Sequence, residues 1–176
     1  MDIVICYNRK ESKCRRGGLL LSVCTFIASD KPLREAAPKK EYPLIINIDK
    51  GTVYDGAADD NFFLRDFKDV PCYTDKKYGV CLEWQYTDGR AKKILEYIQD
   101  ALEHEAVIEI WHVWLRDYWL MDYYEYEESP VIQKCTVPFS DLTIDDIKEI
   151  DSAEIWNRPD KRNPGRPSFY CLIIER

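Results

Sequence analysis

Apolar positions recur along the chain at two periods, and the runs they form mark out its elements. Alternating or continuous apolar stretches rich in Ile, Val, Phe and Trp occupy residues 2–7, 19–28, 44–49, 78–86, 106–115, 131–138 and 168–175, the pattern expected of strands. Asp49-Lys50-Gly51 supplies a hairpin turn out of the third run into residues 52–54. In 78–86, Val80, Leu82 and Trp84 fall on one face and Cys81, Glu83 and Gln85 on the other. Residues 106–115 are nearly all apolar, which predicts a central strand covered on both faces. Helical spacing instead aligns Ala91, Ile94, Leu95, Ile98 and Leu102, with Lys92, Lys93, Glu96, Gln99 and Asp100 mainly opposite. This predicts a helix over residues 88–104, capped by Thr87 or Asp88 and ending at His104.

A second helix, over 143–150, starts at Thr143 and places Asp145 and Asp146 in its first turn, where the helix dipole favours negative charge. Residues 9–18, 55–60 and 158–167 read as loops and 30–43 as a long loop or a partly helical excursion, with Phe62, Phe63, Leu64 and Phe67 packing beneath the 55–60 loop. The sum is an α+β chain: one domain over residues 1–176, with a mixed or mostly antiparallel sheet of about six to seven strands and two main helices.

Charge changes the picture from fold to partner. The formal net charge is −7, but residues 1–50 carry a net of +4 and residues 51–176 a net of −11. Between residues 96 and 154, sixteen Asp and Glu face only Arg116, Lys134 and Lys148. A sequence pI near 5.0 argues against a nucleic-acid binder held by many phosphate contacts. No apolar run is long enough to span a bilayer, and the start Met1-Asp2-Ile3-Val4-Ile5 lacks a signal-peptide pattern. Seven cysteines stand at Cys6, Cys14, Cys24, Cys72, Cys81, Cys135 and Cys171, with no Cys-x-x-Cys pair. That spacing indicates neither a zinc ribbon nor a thioredoxin-type pair. Cys6, Cys24, Cys81 and Cys171 lie inside apolar runs, as small buried hydrophobes in a reducing cytosol would.

Candidate chemistry is sparse. His104, expected at a helix end, and His112, inside an apolar strand, read as structural. Asp69 or Asp75 with Glu83-Trp84-Gln85 partly matches the Asp…Glu-x-Lys metal site of nucleases, but Gln85 stands where the lysine belongs. This leaves a metal-dependent hydrolase or nuclease using Glu83 and neighbouring aspartates as one alternative reading, and a non-catalytic subunit of a larger complex as another. Gly17-Gly18 lacks the Gly-Lys-Ser/Thr of a phosphate loop, and the Arg9, Lys10, Lys13, Arg15, Arg16 cluster reads as a solvated basic loop. Neither a cofactor nor a resident metal is indicated, and the chain reads as non-enzymatic.

The densest feature is the stretch from Asp117 to Glu128, where carboxylates alternate with five large aromatic rings. It reads either as a solvated edge strand or as a docking face. Tyr and Trp are favoured interface anchors, and carboxylates around them attract Arg and Lys at long range. The expected partner-binding residues are Asp117, Tyr118, Trp119, Asp122, Tyr123, Tyr124, Glu125, Tyr126, Glu127 and Glu128.

A helix ending in Leu95-Glu96-Tyr97-Ile98 and Ala101-Leu102-Glu103 leads into Ile108-Glu109-Ile110-Trp111-His112-Val113-Trp114-Leu115. After an acidic turn comes Val137-Pro138-Phe139-Ser140-Asp141-Leu142-Thr143. Over residues 88–156 this resembles small single-domain immunity proteins of bacterial polymorphic-toxin and contact-dependent inhibition systems. The resemblance implies a cytosolic inhibitor that binds one cognate toxin domain, often a nuclease with a basic cleft, and blocks access to it. It transfers no catalytic residue.

Overall fold

The computed structural model describes residues 2–5, 23–114, 132–151 and 169–176. Among them are β1 (Asp2–Ile5), β2 (Val23–Ser29), β3 (Leu44–Asn47), β4 (Thr52–Tyr54), β5 (Phe63–Asp66), β6 (Tyr78–Glu83), β7 (Val107–Trp114), β8 (Ile132–Pro138) and β9 (Phe169–Glu175). Two helices, α1 (Asp88–Leu102) and α2 (Ile144–Asp151), complete the set. The main sheet has six strands in the order β5-β6-β2-β7-β9-β8, antiparallel except for the parallel pair β8–β9. β1, β3 and β4 form a separate three-stranded antiparallel sheet. The α+β class, the mixed main sheet and both helices therefore stand as expected from the sequence.

Two boundaries differ. β5 falls where packing under a loop was anticipated, and it becomes a strand by pairing with β6 from Phe63↔Glu83 to Asp66↔Val80. α1 stops at Leu102, so His104 lies in the following turn, its N–H donating to the Ala101 carbonyl. The run 19–28 is described from Val23 onward, where it forms β2 as expected, and residues 19–22 lie outside the described residues.

β2 and β7 sit at the centre of the main sheet, which explains why their sequences are apolar on both faces. On one face Ile27, Val80, Leu82, Ile108, Ile110, Leu172 and Ile174 pack against Ala91, Ile94, Ile98 and Leu102 of α1 and Ile147 and Ile150 of α2. On the other, Phe26, Trp111, Val113, Phe169 and Cys171 pack with Phe67 and Val70. Phe26 stacks on Trp111 at 6.1 Å and meets Phe67 at 4.7 Å between ring centroids. Each such ring or branched side chain withdrawn from water contributes about 1.5–3 kcal/mol, so the two layers supply most of the favourable term. Gly79 permits a close approach: a Cβ there would clash with Val70 Cγ2, so the turn at Val70–Cys72 could not lie this close to β6.

Local chemistry fixes the ends. Thr87 Oγ1 accepts from Arg90 N–H at 3.2 Å and caps α1. At α2, Asp146 accepts from both the N–H and the hydroxyl of Thr143, each at 2.7 Å. The β3–β4 hairpin turns through Gly51 at φ +61°, a left-handed value that glycine adopts without strain.

Arg90 is fully buried. It donates to both carboxylate oxygens of Asp55 (2.7 and 3.0 Å), to the Ala58 carbonyl (2.8 Å) and to the Gln85 carbonyl (2.9 Å). One guanidinium thus ties the loop after β4 to the start of α1. The outer edge of β5 is closed by two Ala36–Leu64 backbone bonds and by Glu35, whose carboxylate accepts from Asp66 N–H.

Candidate functional site

Residues 117–119 and 122–128, expected to form the docking face, lie outside the described residues, as does the basic cluster over 9–16. The structure does place the points where the stretch containing the former joins the sheet. It leaves β7 after Trp114 and returns at Ile132 of β8. Trp114 pairs with Val23, Val113 with Phe169, and Phe169 with Ile132. These strand ends therefore share one end of the sheet. Residues 6–22 enter at that end through Val23 and residues 152–168 through Phe169, so all three stretches are anchored there. Their formal charges are +4 for 6–22, −4 for 115–131 and +2 for 152–168.

The described residues at this end are themselves aromatic and acidic. β6 arrives with Leu82 level with Thr25, and Trp84 follows one residue beyond the strand. The Trp84 indole N–H donates to Asp151 at the end of α2, at 2.8 Å. Trp84 meets Tyr86 edge-on at 5.7 Å. The Tyr86 hydroxyl donates to Asp88 (3.1 Å) and lies 3.3 Å from the Ile144 carbonyl, while Lys148 Nζ sits 5.8 Å from the Tyr86 ring centroid. Burial, reinforced by the Asp88 carboxylate, pushes the Tyr86 hydroxyl up to about 12. Burial also lifts the Asp151 carboxyl above its usual range, against the opposing pull of the Trp84 hydrogen bond. From residue 141 to 151 there are five carboxylates and one lysine. Two of these carboxylates are met by hydrogen bonds rather than by cations, Asp146 by Thr143 and Asp151 by Trp84.

Deeper in the same half of the sheet lies His112, buried. Its Nδ1 shares a 3.2 Å hydrogen bond with Thr25 Oγ1, and its Nε2 has no hydrogen-bond partner among the described residues. Burial lowers its pKa to about 4, so at neutral pH the ring is uncharged, in keeping with a structural role.

The residues of the hydrolase alternative are not brought together. Glu83 is ion-paired with Arg65 at 3.3 Å and ends β6, whereas Asp69 and Asp75 precede its first residue, Tyr78. A six-residue strand is roughly 16 Å long at about 3.3 Å per residue. Among the described residues no group of three or more His, Cys, Asp and Glu side chains could hold a metal ion. Among the same residues, no helix is long and apolar enough to cross a membrane.

Trp84, Tyr86 and Asp151 were not singled out from sequence as a group. Their only signal there was the one-face alternation that put Trp84 with Val80 and Leu82. Comparison with protein-family models, curated proteins and solved structures finds no match to this chain.

Proposed function

We propose that this chain is a cytosolic binding protein that neutralises the toxin domain of a bacterial polymorphic-toxin or contact-dependent inhibition system. Its working surface is the acidic, aromatic stretch over residues 117–128, and it carries out no reaction of its own. Carboxylates there take the place of substrate phosphates in a basic cleft, and Tyr and Trp provide the contact area.

One observation supports this reading above the others. The stretch is anchored between Trp114 and Ile132, at the sheet end where Trp84, Tyr86, Asp88 and Asp151 already set rings beside carboxylates. A face of one chemical character can therefore extend from the rigid sheet into the stretch that departs from it.

The test is the triple substitution Asp122→Lys, Glu125→Lys, Glu127→Lys, with binding to the toxin encoded immediately upstream measured across a salt series. Affinity should fall by at least about tenfold at low salt, and the deficit should shrink as salt screens the charges. Unaltered affinity over the whole series overturns the proposal. A large drop in the thermal midpoint of the free variant would instead mark those carboxylates as internal ion-pair partners.

A further inference from the structure

Cys24 and Cys81 are 57 positions apart in sequence, yet their sulfurs are 3.4 Å apart. Both side chains point to the sheet face opposite the helices, where Cys24 belongs to the buried aromatic cluster and Cys81 packs against it. The β2–β6 register pairs Phe26 with Cys81 and Thr25 with Leu82, which makes Cys24 level with Glu83 and a diagonal neighbour of Cys81. Cys81 is only half-buried, whereas Cys24 is 6% exposed. The guanidinium of Arg65, directly across from Cys81 in the β5–β6 register, adds positive charge nearby.

From this geometry we propose that Cys24 and Cys81 are an oxidation site at which hydrogen peroxide closes a reversible disulfide between β2 and β6. The Cys81 thiolate attacks one peroxide oxygen, and the O–O bond breaks. One oxygen stays on sulfur as a sulfenic acid, and the other leaves and takes up a proton as water. The Cys24 sulfur then attacks the Cys81 sulfur, the S–O bond breaks, and the second oxygen leaves as water with the Cys24 proton. The two sulfurs together lose two electrons, and the peroxide gains them.

The roles follow from the surroundings. The hydrogen bond from Cys24, aided by Arg65, holds the Cys81 thiol below its usual range against the opposing effects of burial and Glu83. A thiolate is the reactive form, and Cys81 is the more exposed of the two. Cys171, on the same face, is pushed up to about 12 chiefly by burial and stays a thiol.

The register also sets the character of the bond. Diagonal neighbours in an antiparallel pair have Cα atoms about 7–8 Å apart, just past the span of about 4.4–6.8 Å that disulfides usually bridge. Closing the bond must pull the strands inward, and a strained disulfide is more easily reduced. Such a bond suits a signal that is later reversed, not a permanent staple. In a reducing compartment, disulfides of this transient kind are the usual ones.

The experiment treats the folded chain with hydrogen peroxide, blocks remaining thiols with N-ethylmaleimide, digests it and weighs the peptides. The expected product is the Cys24 peptide joined to the Cys81 peptide, lost again after dithiothreitol. In Cys24→Ala, the linked peptide should vanish and dimedone should label Cys81 as the trapped sulfenic acid. If Cys24→Ala fails to fold, Cys81→Ser should abolish the linked peptide while leaving Cys24 unoxidised. The proposal is overturned if native protein yields both cysteines as maleimide adducts, or yields Cys81 only as sulfinic or sulfonic acid. It is equally overturned if Cys24 is found joined to a different cysteine.

Discussion

Two buried polar side chains carry more consequence than their number suggests, because the interior makes each one costly to leave unsatisfied. Arg90 is fully buried, and its hydrogen bonds reach Asp55, Ala58 and Gln85 at once. Removing one partner of a buried ion pair typically costs about 3–5 kcal/mol, because the other charge is stranded. Arg90→Met should therefore lower the unfolding free energy by roughly that amount in urea titrations, and Asp55→Asn by less, since the amide oxygen still accepts from Arg90 and the guanidinium keeps its bonds to the Ala58 and Gln85 carbonyls. Sequence placed Arg90 in the first turn of a helix but gave no sign of its burial. Its partner lies 35 positions away in a loop that has no period to read.

His112 was legible as a structural residue from its apolar neighbours, and its stability signature follows from burial. Its folded pKa of about 4 lies below the ordinary value near 6.5, so the unfolded chain binds the proton more readily. The contribution is whole above about pH 7 and is lost as pH falls through the window from about 6.5 to about 4. It should amount to roughly 3 kcal/mol at about 1.36 kcal/mol per pH unit. Urea midpoints across that window should show this slope in the native chain and a flatter one in His112→Leu.

Elements were legible where a local signal was enough. The 3.6-residue spacing and the threonine before it located α1, and Thr87 does cap it. Thr87→Ala should accordingly cost about 1 kcal/mol of stability, read from the shift in the urea midpoint. The central position of β7 was likewise visible, since a strand apolar on both faces needs cover on both. Elements that depend on a distant partner were hidden. Phe63-Leu64-Arg65-Asp66 is too short to show alternation, and only the neighbouring β6 makes it a strand. The parallel β8–β9 pair was equally hidden, because the apolar pattern of a strand does not encode the direction of its neighbour. His104 fell outside α1 because no glycine or proline marks the stop.

At the scale of the whole molecule, composition pointed to an acidic, aromatic stretch, and the sheet register shows what lies next to its anchors. Trp84 and Asp151 join across 67 positions, so no reading of neighbours in sequence could have paired them. The charges of the three stretches anchored there differ in sign, which gives the free protein's stability a diagnostic use beside the binding assay.

The strand order holds one more consequence. β9 is the last strand in the sequence, yet it fills the slot between β7 and β8. As the polypeptide emerges from the ribosome, β8 is synthesised before β9, its neighbour among the described strands, exists, and β7 waits for β9 on one edge. The nascent chain must hold that apolar edge open until residues 169–175 arrive. A version lacking them should collect as aggregate during translation, and the missing segment supplied as a free peptide should recover soluble protein.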